Sequence, residues 1–133
     1  MTARSSEMIV WGGLDATGYR NDGGRYDPAT GQWTPIPAGP LAARELAAAV
    51  WTGQELIVWG GRDATGLRGD GAVLDLRAGR WLPLPEGPAP RQDAVLVAVG
   101  ARALLLWGAD DAGLRTEAWA LDLDALGVTA RGP

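Results

Sequence analysis

The stretch Glu7–Gly18, EMIVWGGLDATG, recurs almost letter for letter as ELIVWGGRDATG at Glu55–Gly66, and a worn third copy, ALLLWGADDAG, occupies Ala103–Gly113. The copies start 48 residues apart in both steps; Trp11, Trp59 and Trp107 keep that phase, as do Trp33 and Trp81. A period of roughly 40 to 50 residues marks a repeated supersecondary unit that buries its faces only against its neighbours.

Working outward from the second copy, each period reads as four short apolar runs separated by turn signals. Leu46 to Trp51 is the first, and Thr52-Gly53-Gln54 turns it into Leu56 to Trp59, which ends at Gly60-Gly61. A loop from Arg62 to Gly69 leads to a third run, Ala72 to Leu76; Arg77-Ala78-Gly79 then turns the chain into a fourth around Trp81. The Pro-rich link Pro83 to Pro90 crosses to the next unit, where a residue without a ladder donor is tolerated. Four antiparallel strands per period describe the blade of a β-propeller. Ala47, Ala48 and Ala49, and later Ala94 and Ala98, are small enough for the crowded innermost strand. The five phased tryptophans are expected in the blade cores, with Trp33 and Trp81 burying their large faces between outer strands.

A strand ending in Gly12-Gly13, followed by Tyr26 and Trp33 with six residues between them, resembles the kelch repeat. The second unit keeps Gly60, Gly61 and Trp81 but has Leu74 at the Tyr position; the third has Gly108-Ala109, Leu121 and Val128. The resemblance runs from Glu7 to about Thr129 and implies an all-β, kelch-like β-propeller of about three four-stranded antiparallel blades. Residues 1–133 then form one repeat domain, with blade 1 at about 7–37, blade 2 at about 45–85 and blade 3 at about 92–130. Kelch-type propellers include protein-interaction adaptors, sugar-acid epimerases and galactose oxidase-like enzymes, so the fold alone does not choose a function.

Composition removes several chemistries. The 133 residues contain no Cys and no His, which excludes a disulfide framework, a Cys/His zinc site, a Ser-His-Asp triad and the copper ligands of a galactose oxidase-like centre. Ser5 and Ser6 are the only serines and have no histidine to activate them. All 12 basic residues are Arg and the net charge is −4, a poor field for nucleic acid or an anionic membrane. The apolar stretch Ala94 to Ala109 is interrupted by Gly100 and Arg102 and is too short to span a bilayer. The first residues carry no signal-peptide pattern, so a cytoplasmic location is the default expectation.

Two features are candidates for function. The loops Asp15-Ala16-Thr17-Gly18, Asp63-Ala64-Thr65-Gly66 and Asp110-Asp111-Ala112-Gly113 lack the alternating ligands and closing Glu of a calcium loop, and read as turns with no metal. Arg20, Arg62, Arg68 and Arg115, together with Arg44 and Arg91 ahead of the innermost strands, are expected toward one mouth of the propeller. With Tyr19 they form the candidate axial site for a carboxylate or an acidic peptide, since guanidinium pairs bidentately with carboxylate. The alternative is that these arginines pair with Asp15, Asp63, Asp93 or Asp110 and order the loops. Trp51 and Trp119 stand less regularly and are minor ligand candidates.

Counting strands gives three, four and four, because Thr2 to Ser6 is too short for the innermost strand of the first unit. Closed propellers use about 4 to 8 blades, so the chain is expected to be an open arc, or half of a six-bladed ring formed by a homodimer. The expected function is a non-enzymatic ligand- or protein-binding module without cofactor, completed by a second copy or by the rest of a longer propeller. The alternative is a fragment of a propeller enzyme acting on carbohydrate or sugar acid.

Overall fold

The computed structural model describes residues 7–85 and 87–126. The chain order is β1 (Met8–Asp15), β2 (Gly18–Asp27), β3 (Gln32–Pro35), β4 (Ala48–Trp51), β5 (Glu55–Trp59), β6 (Arg62–Asp63), β7 (Gly66–Leu67), β8 (Gly71–Asp75), β9 (Arg80–Pro83), β10 (Val95–Val99), β11 (Arg102–Leu106), β12 (Ala109–Asp110), β13 (Gly113–Leu114) and β14 (Ala118–Asp122), closed by a 3-10 turn at Asp124–Leu126. The fold is all-β. Three antiparallel sheets follow one another along the chain, ordered β1-β2-β3, β4-β5-β8-β9 and β10-β11-β14, and none closes on itself. They are the three partial blades of an open arc. The fourth strand expected of the third, around Val128, lies outside the described residues, as do Thr2 to Ser6 and Thr129.

The middle blade is the hub. Cross-strand partners Leu56, Leu74 and Trp81 point to one face, and Ile57, Val73 and Leu82 to the other. The first set packs with Ile9, Trp11 and Ile36 of blade 1; the second packs with Ala103, Leu121 and Leu123 of blade 3. With both faces covered, β5 and β8 are buried along their whole length and read as continuous apolar runs rather than alternating ones. Ala48 on the innermost β4 is buried beside Trp59 and Leu105, as its small size requires, whereas Ala49 is exposed.

Two expectations about tryptophan are corrected. Trp33 does not bury its face: it is 56% exposed, leaning on Tyr26 at a ring distance of 5.0 Å on the outer side of blade 1, where no neighbouring blade lies among the described residues. Trp107 does not keep the phase of Trp59. The third unit follows the second by 47 residues, not 48: Trp107 N donates to Glu117 O as Gly60 N does to Asp70 O, and Gln92 bridges Ala109 as Glu45 bridges Arg62. Trp107 therefore stands where Gly60 stands, with φ +59 against +76, and is 54% exposed.

The glycine pairs also do more than end a strand. In blade 1, β1 runs on through Gly12-Gly13 with a bulge between Trp11 and Gly13. In blade 2 the strand breaks at Gly60-Gly61. In both blades the second glycine donates its N–H to a link carbonyl, Gly13 to Arg44 O at 2.8 Å and Gly61 to Arg91 O at 2.9 Å. That carbonyl passes so close that a Cβ on the first glycine would meet it at 2.9 Å (Gly12) or 2.8 Å (Gly60). Two requirements, positive φ and close backbone approach, thus fall on one residue.

Candidate functional site

The arginines of the candidate mouth divide into buried and exposed sets. Arg44 and Arg91 are 0% and 2% exposed, the reverse of what an open mouth requires. Each lies in a link and ties two blades together. The Arg44 backbone binds blade 1, receiving from Gly13 N and donating to Arg20 O, while its guanidinium crosses to blade 2: Nη1 donates to Gly60 O, to Asp70 O and, at 2.7 Å, to Asp70 Oδ1. Arg91 repeats the device one blade later. Its backbone binds Arg68 O and Gly61 N, Nη1 donates to Trp107 O, and Nη2 meets Glu117 Oε1 at 2.8 Å. Nε of each also donates to the carbonyl two residues earlier in its own link, Ala42 O or Ala89 O. These two side chains are blade-to-blade staples, whose planar, multi-donor head suits a site offering several fixed oxygens.

The remaining arginines lie nearer the surface with acids of their own blade. Arg20 grips Asp22 through Nε at 3.1 Å and Nη2 at 2.7 Å and stands 3.7 Å from Asp15. Arg68 is 3.4 Å from Asp63 and 3.7 Å from Asp70, Arg62 is 3.4 Å from Glu45, and Arg115 holds Asp110 through Nε at 2.6 Å. Pairing with Asp15, Asp63 and Asp110 follows the sequence pattern. The partners Asp22, Asp70, Glu117 and Glu45 were not anticipated, although Arg20-Asn21-Asp22, Arg68-Gly69-Asp70 and Arg115-Thr116-Glu117 repeat one Arg-x-acid spacing. Asp93 binds Gln92 Nε2 rather than an arginine. Tyr19 is half-buried on β2, opposite Leu14.

The Asp-Ala-Thr-Gly loops are side-chain-capped turns. Asp15 Oδ1 accepts from the N–H and hydroxyl of Thr17 at 2.8 and 2.7 Å, Asp63 Oδ1 does the same with Thr65 at 2.9 and 2.6 Å, and Asp110 Oδ1 accepts from Ala112 N at 2.9 Å. These bonds stabilise the charged carboxylates, so Thr17, Thr65 and, for Asp110, Arg115 hold the three groups below the ordinary range. Asp22 is lowered by Arg20 and Asp70 by Arg44. Among the described residues no three acidic, His or Cys side chains gather as a metal cluster.

A feature missed in the sequence is an apolar crevice of about 260 Å³ between the link after β9 and blade 3. Trp59, Leu84, Pro88, Leu96, Leu105 and Trp119 line it. Trp119 occupies the position of Ala72, 47 residues earlier in the blade before, a small-to-large exchange.

Fold and site together define an all-β repeat protein with three partial, propeller-like blades joined by arginine staples. No known family pattern matches the chain, and a search of curated proteins finds no relative.

Proposed function

We propose that this chain is a kelch-type propeller segment that works as a non-enzymatic protein-binding module through the open faces of its flanking blades. One observation carries the reading. Met8, Val10 and Trp33 on the outer side of blade 1, and Val95, Val97 and Val99 on β10 of blade 3, are exposed, whereas Leu56 and Val58, the blade 2 equivalents of Met8 and Val10, are buried by a neighbour. Contiguous apolar faces of this kind mark interaction surfaces. Further blades, from a second copy or from the rest of a longer propeller, are the partners that the faces fit.

The geometry supports the anionic-ligand role of the arginines less well, because each of the seven candidates other than Tyr19 already meets a carboxylate. For the carbohydrate-enzyme reading, Asp15, Asp22, Asp63, Asp70 and Asp110 are poor general acids, since all five are shifted down, opposite to the rise such an acid needs. Sedimentation equilibrium tests the proposal. The chain is expected to form concentration-dependent assemblies heavier than its 13.9 kDa, dispersed by Trp33→Arg or Val97→Arg. A folded monomer at every concentration would rule out a second copy as the partner, and assemblies that Trp33→Arg and Val97→Arg leave intact would overturn the open-face reading.

A further inference from the structure

The two staples define what a complete blade junction looks like, and among the described residues blade 1 receives none. In blades 2 and 3 an incoming arginine reaches the acid that opens the third strand, Asp70 or Glu117. Four residues beyond that arginine the same segment becomes the innermost strand, antiparallel to the next: Ala48 faces Trp59 and Trp51 faces Leu56, as Val95 faces Leu106. The blade 1 equivalent of Asp70 is Asp22, 48 residues earlier, and the equivalent of β5 is β1. Among the described residues β1 pairs with β2 alone, leaving its other edge without a strand.

The surroundings of that edge match the pattern. A groove runs beside it, lined by Glu7, Met8 and Ile9 on one side and by Ala49, Val50 and Trp51 on the other. Innermost strands lie side by side in this fold, since β4 contacts β10 and Leu46 O receives Asp93 N at 3.1 Å. The groove is therefore the place on the opposite flank of β4 where another such strand belongs. The local arginine behaves accordingly. Where a staple is present, Arg68 stands 3.7 Å from Asp70 and turns to Asp63; where none is present, Arg20 closes on Asp22 with two bonds, at 2.7 and 3.1 Å.

We propose that the edge of β1 opposite β2, with Asp22 at its end, is a binding site for an extended segment of a partner polypeptide: an arginine, three residues, then four apolar residues. This deepens the binding reading above, with β-augmentation as the mode; main-chain bonds give affinity and the arginine fixes register. The guanidinium displaces Arg20 from Asp22, and the apolar residues pair with Trp11, Val10, Ile9 and Met8 in antiparallel order.

The probe is the synthetic peptide RELAAAVW, the sequence of Arg44–Trp51, titrated into the full chain and followed by NMR. Shifts are expected along β1 and at Asp22, with at least tenfold weaker binding for the peptide whose arginine is replaced by Gln, and the same loss in the Asp22→Asn chain. In that chain the two peptides should bind equally. No binding, or equal binding of the Arg and Gln peptides to the unaltered chain, overturns the proposal. Because the peptide variant leaves the protein intact, misfolding of Asp22→Asn does not blur the result. Self-association abolished by Asp22→Asn without peptide would assign the edge to a second copy instead. Self-association indifferent to Asp22 together with absent peptide binding would reject this site and leave the open-face reading standing.

Discussion

Blades 1 and 2 are built from nearly the same letters, yet they live in different solvents. Met8, Val10 and Trp33 stand exposed where Leu56, Val58 and Trp81 lie in a core, because only the second blade has neighbours on both sides. Trp81 meets Trp11 at 6.4 Å and donates Nε1–H to Pro37 O at 2.8 Å; Trp33, on the same motif, meets only Tyr26 among the paired aromatics. In a repeat array, burial belongs to the junction and not to the unit, so the same substitution has different consequences one period apart.

That contrast is broken most forcefully in the hub. Ile57→Ala, at a fully buried position, is expected to cost about 2–5 kcal/mol in urea unfolding, while Val97→Ala on the open face should change the monomer by no more than about 0.5 kcal/mol; equal losses would dissolve the distinction between hub and flank. Next come the staples. Arg44→Ala removes a buried side chain with four acceptors on blade 2 and its own link, and a loss of about 2–4 kcal/mol follows from charged hydrogen bonds worth about 1.5–3 kcal/mol and their packing. Hydrogen exchange should show the junction of blades 1 and 2 opening first.

The glycine position separates the hub from blade 3 by a smaller margin. Gly60→Ala forces a Cβ to 2.8 Å from Arg91 O at φ +76 and should cost about 1–2 kcal/mol or more, whereas Trp107→Gly relieves a left-handed tryptophan and should be neutral or stabilising by up to about 1 kcal/mol. Thermal unfolding of the two variants checks the opposite signs.

The smallest effect is a pH dependence. Arg44 lowers Asp70 below its ordinary 3.8, so the unfolded chain binds its proton first as acid is added. The contribution is complete above 3.8 and is lost as pH falls through the lower, folded value. Asp70→Asn should flatten the urea midpoint over that range; an unchanged slope would show that the half-exposed carboxylate adds nothing.

Much of the fold was legible. The repeat, the four runs of the middle unit and the turn at Thr52-Gly53-Gln54 all fall where the strands of blade 2 do, because alternation and turn chemistry are local. What escaped depends on neighbours. The exposure of Trp33 is set by the absence of a flanking blade. The slip to 47 residues was hidden because the shared Trp-Gly letters outweighed the better match of Asp110 and Arg115 to Asp63 and Arg68. Arg44 and Arg91 looked like ligand groups because a recurrent arginine is ordinarily a surface residue. Only the repeated Arg-x-acid spacing signalled that acidic partners wait for them.

Trp107 gives the arc a direction. At Gly12 and Gly60 the link carbonyl runs through the space a Cβ would fill, and the equivalent position in blade 3 is Trp107, at φ +59. A link that followed the same course past Trp107 would meet its Cβ, so the two junctions inside the chain, at Gly12 and Gly60, are not copied on the outer side of blade 3.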